Sequence, residues 1–253
     1  MIEPRIKATL ALRTLCPIDS QSMCMSSSKP PISDRLIWLR KPARLVVCES
    51  VFSPKCDPRI VDAEWDRLRS LDSHLTDGPC WHVSAVSRNG HGGATIHVFE
   101  TTYRVAAVRT TGIETGFVGL GVKGIAHWRG MWLIGRRATA CATYADHWEF
   151  APGGSVEPGE DPAIGIEREL IEECAVGALS RPRPIALLFD SVVRNWEIVL
   201  EIEIASPPDA PPNWEYSTLR MIDGFDIPAP RSPCTASMIE VAKRINLARQ
   251  PRL

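Results

Sequence analysis

Between Gly153 and Val176 the chain reads GGSVEPGEDPAIGIERELIEECAV, with six glutamates, one aspartate and a single arginine in 24 residues. No other stretch restricts the fold as tightly. Gly153, Gly154 and Gly159 allow tight turning and close approach to a ligand, and Pro162 suits the first turn of a helix. The spacing predicts a loop followed by a helix from Asp161 to about Cys174. At about 100° per residue, Ala163, Ile166, Leu170 and Cys174 share an arc that can bury, while Glu169, Glu172 and Glu173 project beside it. Like charges three and four residues apart repel by several tenths of a kcal/mol per pair, so the helix gains nothing by collecting them. A counter-charge is therefore expected nearby. Hard oxygen donors without His or Cys suit Mg2+ or a similar divalent cation, which completes its shell with water and substrate phosphates. Arg168 stands beside the acidic face and can pair bidentately with Glu160, tying loop to helix. Most Glu-rich helices merely present such charges to solvent, but here the spacing points elsewhere.

Gly154, Glu160, Arg168, Glu169, Leu170, Glu172, Glu173 and Val176 fit the pattern GX5EX7REUXEEXGU, with U a bulky aliphatic residue. That pattern is the Nudix box, and the chain resembles a Nudix hydrolase. At ordinary residue usage a chance match has odds on the order of one in 10^8 per starting point. One position departs, since Ala175 stands where the family usually has Gly. An alanine resists positive φ, so a left-handed residue there implies a strained or displaced helix exit. The preceding HWEFAPGG is similar to the family's approach strand. The resemblance implies an α/β fold, a Nudix α/β/α sandwich with a mixed sheet, over residues 119–253. It further implies hydrolysis of a nucleoside diphosphate linked to a moiety X, with Mg2+ or Mn2+. By box position Glu169, Glu172 and Glu173 are metal ligands, Gly153 offers a carbonyl ligand, and Glu160 with Arg168 forms a structural ion pair. Glu172 and Glu173 are the catalytic candidates inside the box. Outside it Glu197, Glu201 and Glu203 are further candidates for the base, although alternating acids on a strand more often mark its solvent face.

The remainder of the chain divides by pattern. Residues 1–34 include a Ser- and Pro-rich stretch without periodicity and read as a flexible segment. Glu3 and Arg13 break the apolar character of the first residues, which argues against a signal peptide, and Met23 or Met25 offers an alternative start. Residues 35–118 read as a smaller α+β subdomain: one or two strands around Pro42, a helix bearing Ile60, Val61, Trp65, Leu68 and Leu71, then two strands spanning Trp81 to Arg109 with a turn at Asn89-Gly90. This part is similar to the N-terminal half of Nudix proteins that hydrolyse UDP-glucose and UDP-galactose, which makes a nucleotide sugar one option for the substrate. Strands flanking Arg129-Gly130, strands around Leu187, Ile198 and Leu219, and a final helix with Met238, Val241 and Ile245 on one face complete the reading.

With 29 basic against 30 acidic residues, the chain has no general attraction for nucleic acid or an anionic membrane. No window approaches the roughly 18 apolar residues of a membrane span, and the eight scattered cysteines read as free thiols, so a soluble cytoplasmic protein is expected. The tryptophans read as core, with Trp148 the one candidate for base stacking. Two rivals share the resemblance: a Nudix module that binds nucleotide without cleaving it, and a diphosphate isomerase of the isopentenyl type. The complete acid set favours a hydrolase over both.

Overall fold

The computed structural model describes residues 35–73, 75–209 and 211–249. The flexible segment expected over residues 1–34, with Cys16 and Cys24, lies outside them. In chain order the elements are β1 (Arg35–Trp38), β2 (Arg44–Val47), α1 (Pro58–Leu71), β3 (Pro79–Arg88), β4 (Ala94–Thr102), α2 (Tyr103–Arg109), β5 (Gly119–Trp128) and β6 (Met131–Arg137). There follow β7 (Trp148–Phe150), β8 (Gly153–Ser155), α3 (Pro162–Cys174), β9 (Arg183–Asp190), β10 (Asn195–Glu203), β11 (Tyr216–Ile222) and α4 (Thr235–Arg249).

All the strands among the described residues belong to one mixed sheet, whose main path runs β1-β9-β10-β5-β3-β4-β2. β5 and β10 pair in parallel, with Asn195 opposite Gly119 and Glu197 opposite Gly121. β6 joins β5, β7 and β11, and β8 lies antiparallel to β5. The strand alternation sorts side chains between two layers. Ile198, Leu200 and Ile202 of β10 face the cluster that contains Ala163, Ile166 and Leu170 of α3, whereas Val199 faces Met238, Val241 and Ile245 of α4. Helices therefore cover both faces of the central strands, and the architecture is an α/β/α sandwich.

A third cluster joins Val61, Trp65 and Leu68 of α1 to Val105 and Val108 of α2 and to Phe117. Ile60 and Leu71, the other two apolar residues named on this helix, are exposed. α2 itself corrects the reading of Trp81 to Arg109 as strand throughout. Val105 and Val108, three residues apart, bury together, which is helical and not strand spacing. The segment before position 119 also shares its sheet with the later strands, because β1 pairs with β9 and His82 of β3 pairs with Gly119 of β5. Gly153–Ser155, expected as loop, is a short strand against β5. The six cysteines among the described residues are free thiols, and no helix among those residues is long and apolar enough to cross a membrane.

Candidate active site

α3 begins where its sequence says it should. The Asp161 carboxylate accepts from the Ala163 N–H at 2.8 Å and Pro162 fills the first turn. The helix ends at Ala175, which takes the left-handed conformation (φ 53°, ψ 33°) and sends its N–H to the Ile171 carbonyl. The exit is thus not displaced, and a Cβ sits where glycine would be unstrained.

Of the three acids on this helix, Glu169 and Glu173 are buried against the sheet and Glu172 faces solvent. Arg168 holds more than its predicted partner. Its Nε and Nη2 donate to the two Glu160 oxygens at 3.0 and 3.2 Å, and its Nη1 lies 2.5 Å from Glu169 and 3.5 Å from Glu172. Loop and helix are joined by this one guanidinium, and burial of its charge is outweighed by the carboxylates, which raise its pKa. Gly154 has a steric role: a Cβ built there would collide with the Glu169 carboxylate, so β8 can lie against α3 only without a side chain.

Glu173 is the most constrained acid. One carboxylate oxygen accepts from the Gly153 N–H at 3.1 Å, and the other is buried with no hydrogen-bond partner. Burial, then the neighbouring Glu215 and Glu169 carboxylates, push its pKa well above the usual range. Glu215 arrives from the loop before β11. Asn213 fastens that loop to the end of α3, donating to the Glu173 carbonyl at 2.7 Å and accepting from the N–H groups of Glu215 and Tyr216 at 2.9 and 2.7 Å. Behind Glu215 the charges alternate in sign. Arg137 Nη1 reaches Glu215 at 2.7 Å and Glu149 at 3.1 Å, and Lys123 reaches Glu149 at 3.0 Å.

Among the described residues, no three His, Cys, Asp or Glu side chains are gathered into a ready-made metal shell. Glu172 is turned outward and Glu169 is held by Arg168. The chemistry of the donors nonetheless fits a hard divalent cation. Glu169, Glu173, Glu215 and the Gly153 backbone offer oxygen alone, and the unpartnered buried oxygen of Glu173 beside two further carboxylates is an arrangement that positive charge relieves.

The sequence profile of the NUDIX domain matches residues 121–197. The chain carries a Nudix domain. Its reaction class is that of a Nudix-type pyrophosphohydrolase, and Nudix substrates are in general nucleoside diphosphate derivatives. Similar solved structures include a MutT Nudix hydrolase from Burkholderia pseudomallei, at 20% identity over 48% of this chain and 95% of that one, with a TM-score of 0.41. A MutT protein from Methanosarcina mazei has 19% identity over 52% of this chain and 94% of its own, with a TM-score of 0.42. An ADP-ribose pyrophosphatase from Streptococcus suis has 14% identity over 53% and 93%, with a TM-score of 0.38. No curated protein matches the chain.

Inside the matched stretch and beyond it, several site residues escape a reading of the box alone. Lys123 and Glu149 are single charges inside otherwise apolar strands, which was the available signal for them, while nothing local distinguishes Glu215. Glu197, whose alternation pattern pointed to solvent, is buried, because β10 is central and covered on both faces. Burial pushes its pKa up to about 7, against the pull of Lys123 and of the 2.7 Å hydrogen bond from Asn195. Glu201 lies on the same strand, held by Arg183 and by Arg249 of α4, and Glu203 is exposed. Trp148 is buried under the guanidinium of Arg220 and belongs to the core, so it offers no stacking platform. A cleft runs from Gly153 and Gly154 past Lys123 and Glu149 to Glu197, Asn195, Arg109 and Trp81.

Proposed function

We propose that the chain hydrolyses the diphosphate linkage of a nucleotide sugar, with Mg2+ or Mn2+ bound at the acidic face of α3. Glu169, Glu173 and the Gly153 carbonyl would hold the cation, with Glu172 reaching it from the solvent side. When bound, the cation supplies charge neutralisation for the diphosphate and a lowered pKa for water. Glu172 receives the proton of the attacking water, being the acid of the three whose carboxylate is open to solvent, and Glu173 holds its position through the Gly153 N–H. Glu160 and Arg168 keep the box loop at a fixed distance from the helix. Glu215 adds a fourth carboxylate, anchored by Arg137. Residues 119–253 form the hydrolytic unit in this proposal, and residues 35–118 form the part that selects the substrate.

The unpaired, buried oxygen of Glu173 among like charges supports this reading most directly, since leaving a buried acceptor unmade costs about 1–3 kcal/mol. The test is hydrolysis, with Mg2+, of a panel comprising UDP-glucose, ADP-ribose, NADH, a dinucleoside polyphosphate and a nucleoside triphosphate. Cleavage of at least one compound is expected, with Glu172→Gln and Glu173→Gln each slower by about 100-fold or more. A wild-type chain that cleaves none, or glutamine variants at wild-type rate, would remove the proposal.

A further inference from the structure

The cleft beside the acidic site has two walls of opposite hydrogen-bonding character. On one wall Trp81 is 5% exposed, and its indole N–H is buried without a partner. Arg109, at the end of α2, likewise buries an Nε–H that has none, although its Nη2 donates to the Val193 carbonyl. An N–H shut away from water and unanswered by the protein leaves free energy to be recovered by an acceptor placed there. Both residues line one cavity. On the other wall stand Asn195 and Glu197, at neighbouring positions on one face of β10. They extend over Gly119 and Gly121 of β5, where any Cβ would collide with the Asn195 amide and the Glu197 carboxylate. The two glycines are what let this polar pair lie against the sheet. The rings of Tyr103 and Phe117 also line the cavity.

A phosphate would satisfy the donors and be opposed by Glu197. A purely apolar group would satisfy neither wall. Hydroxyl groups both accept and donate, and a hydroxylated ring has C–H faces that pack against aromatic rings. Resting on the nucleotide-sugar reading above, we propose that this cleft binds the sugar of the substrate, with Trp81 and Arg109 donating to its hydroxyls and Asn195 and Glu197 accepting from them. The segment before the Nudix domain would then set selectivity through two named side chains, which would engage a moiety outside the box.

Trp81→Phe keeps the ring and removes the N–H, and Arg109→Met removes the guanidinium at similar length. Steady-state kinetics of the full chain with Mg2+ would compare UDP-glucose with a nucleoside triphosphate, which has no sugar beyond its diphosphate, with thermal midpoints recorded for each variant. The expected result is a KM for UDP-glucose raised about ten-fold in either variant, the loss of about one hydrogen bond, with kcat for UDP-glucose and both constants for the triphosphate unchanged. Equal losses on the two substrates, or no loss, would overturn the sugar subsite while leaving the hydrolase intact. If the wild type cleaves nothing, the hydrolase reading falls, and calorimetric binding of UDP-glucose decides the subsite separately. Ten-fold weaker binding to Trp81→Phe upholds it, and equal or absent binding rejects it.

Discussion

Replacing Glu197 with glutamine should make the protein more stable, by an amount that depends on pH. The side chain is buried on a central strand, and its pKa is pushed from 4.5 up to about 7 chiefly by loss of solvent. Between these values the folded chain retains a proton that the unfolded chain has released. The stability associated with this group is therefore full below pH 4.5, falls as pH rises and is lost above about 7. At about 1.4 kcal/mol per pH unit, the difference amounts to roughly 3 kcal/mol. Most of this falls between pH 5 and pH 8. Glutamine keeps an oxygen for the Asn195 amide, which donates at 2.7 Å, and has no charge to bury. Urea unfolding of wild type and Glu197→Gln at pH 5 and pH 8 should therefore give a variant advantage larger at pH 8 by roughly 2 to 3 kcal/mol. The same difference at both pH values would refute the burial argument. Glu197 is thus expected to cost stability at neutral pH, in the cleft where a ligand hydroxyl would meet it.

Two further outcomes are expected of the acidic helix. Ala175→Gly should raise stability by about 1 kcal/mol, because the residue already holds a left-handed conformation that costs an alanine about that much; a loss in equilibrium unfolding would contradict it. Mg2+ should raise the thermal midpoint of the wild type, by the equivalent of about 2.7 kcal/mol at a hundredfold excess over its dissociation constant, and have little effect on Glu173→Gln. Because burial and the neighbouring carboxylates raise the pKa of Glu173, a cation bound there competes with a proton, and its binding should strengthen as pH rises. Identical Mg2+ shifts in the two proteins, or affinity that falls with pH, would remove Glu173 from the cation site.

The helix of the box was legible because its constraints are local. Asp161 caps it, Pro162 starts it, and the arc through Ala163, Ile166, Leu170 and Cys174 buries as its period requires. The pairing of Glu160 with Arg168 spans only the end of the loop and about two helical turns, and its spacing alone brings the two within reach. α2 was missed because seven residues carry too little periodicity to separate a helix from a continuing strand. Glu197 was misread because alternation says which residues share a face and not whether that face is covered.

What the sequence determined by itself is therefore the chemistry of one segment: three acids at helical spacing, an arginine to join them to a glycine loop, and the need for a counter-charge. Tertiary structure alone decided what stands around that segment. Glu215 meets Glu173 only because Asn213 ties a distant loop to the end of α3, and Trp81 and Arg109 share a cleft with Asn195 and Glu197 only because β3, α2 and β10 converge around β5. Local spacing is set by backbone geometry within a few residues, whereas these encounters join positions dozens of residues apart. They depend on which strands pair, a choice made by the burial of the whole core.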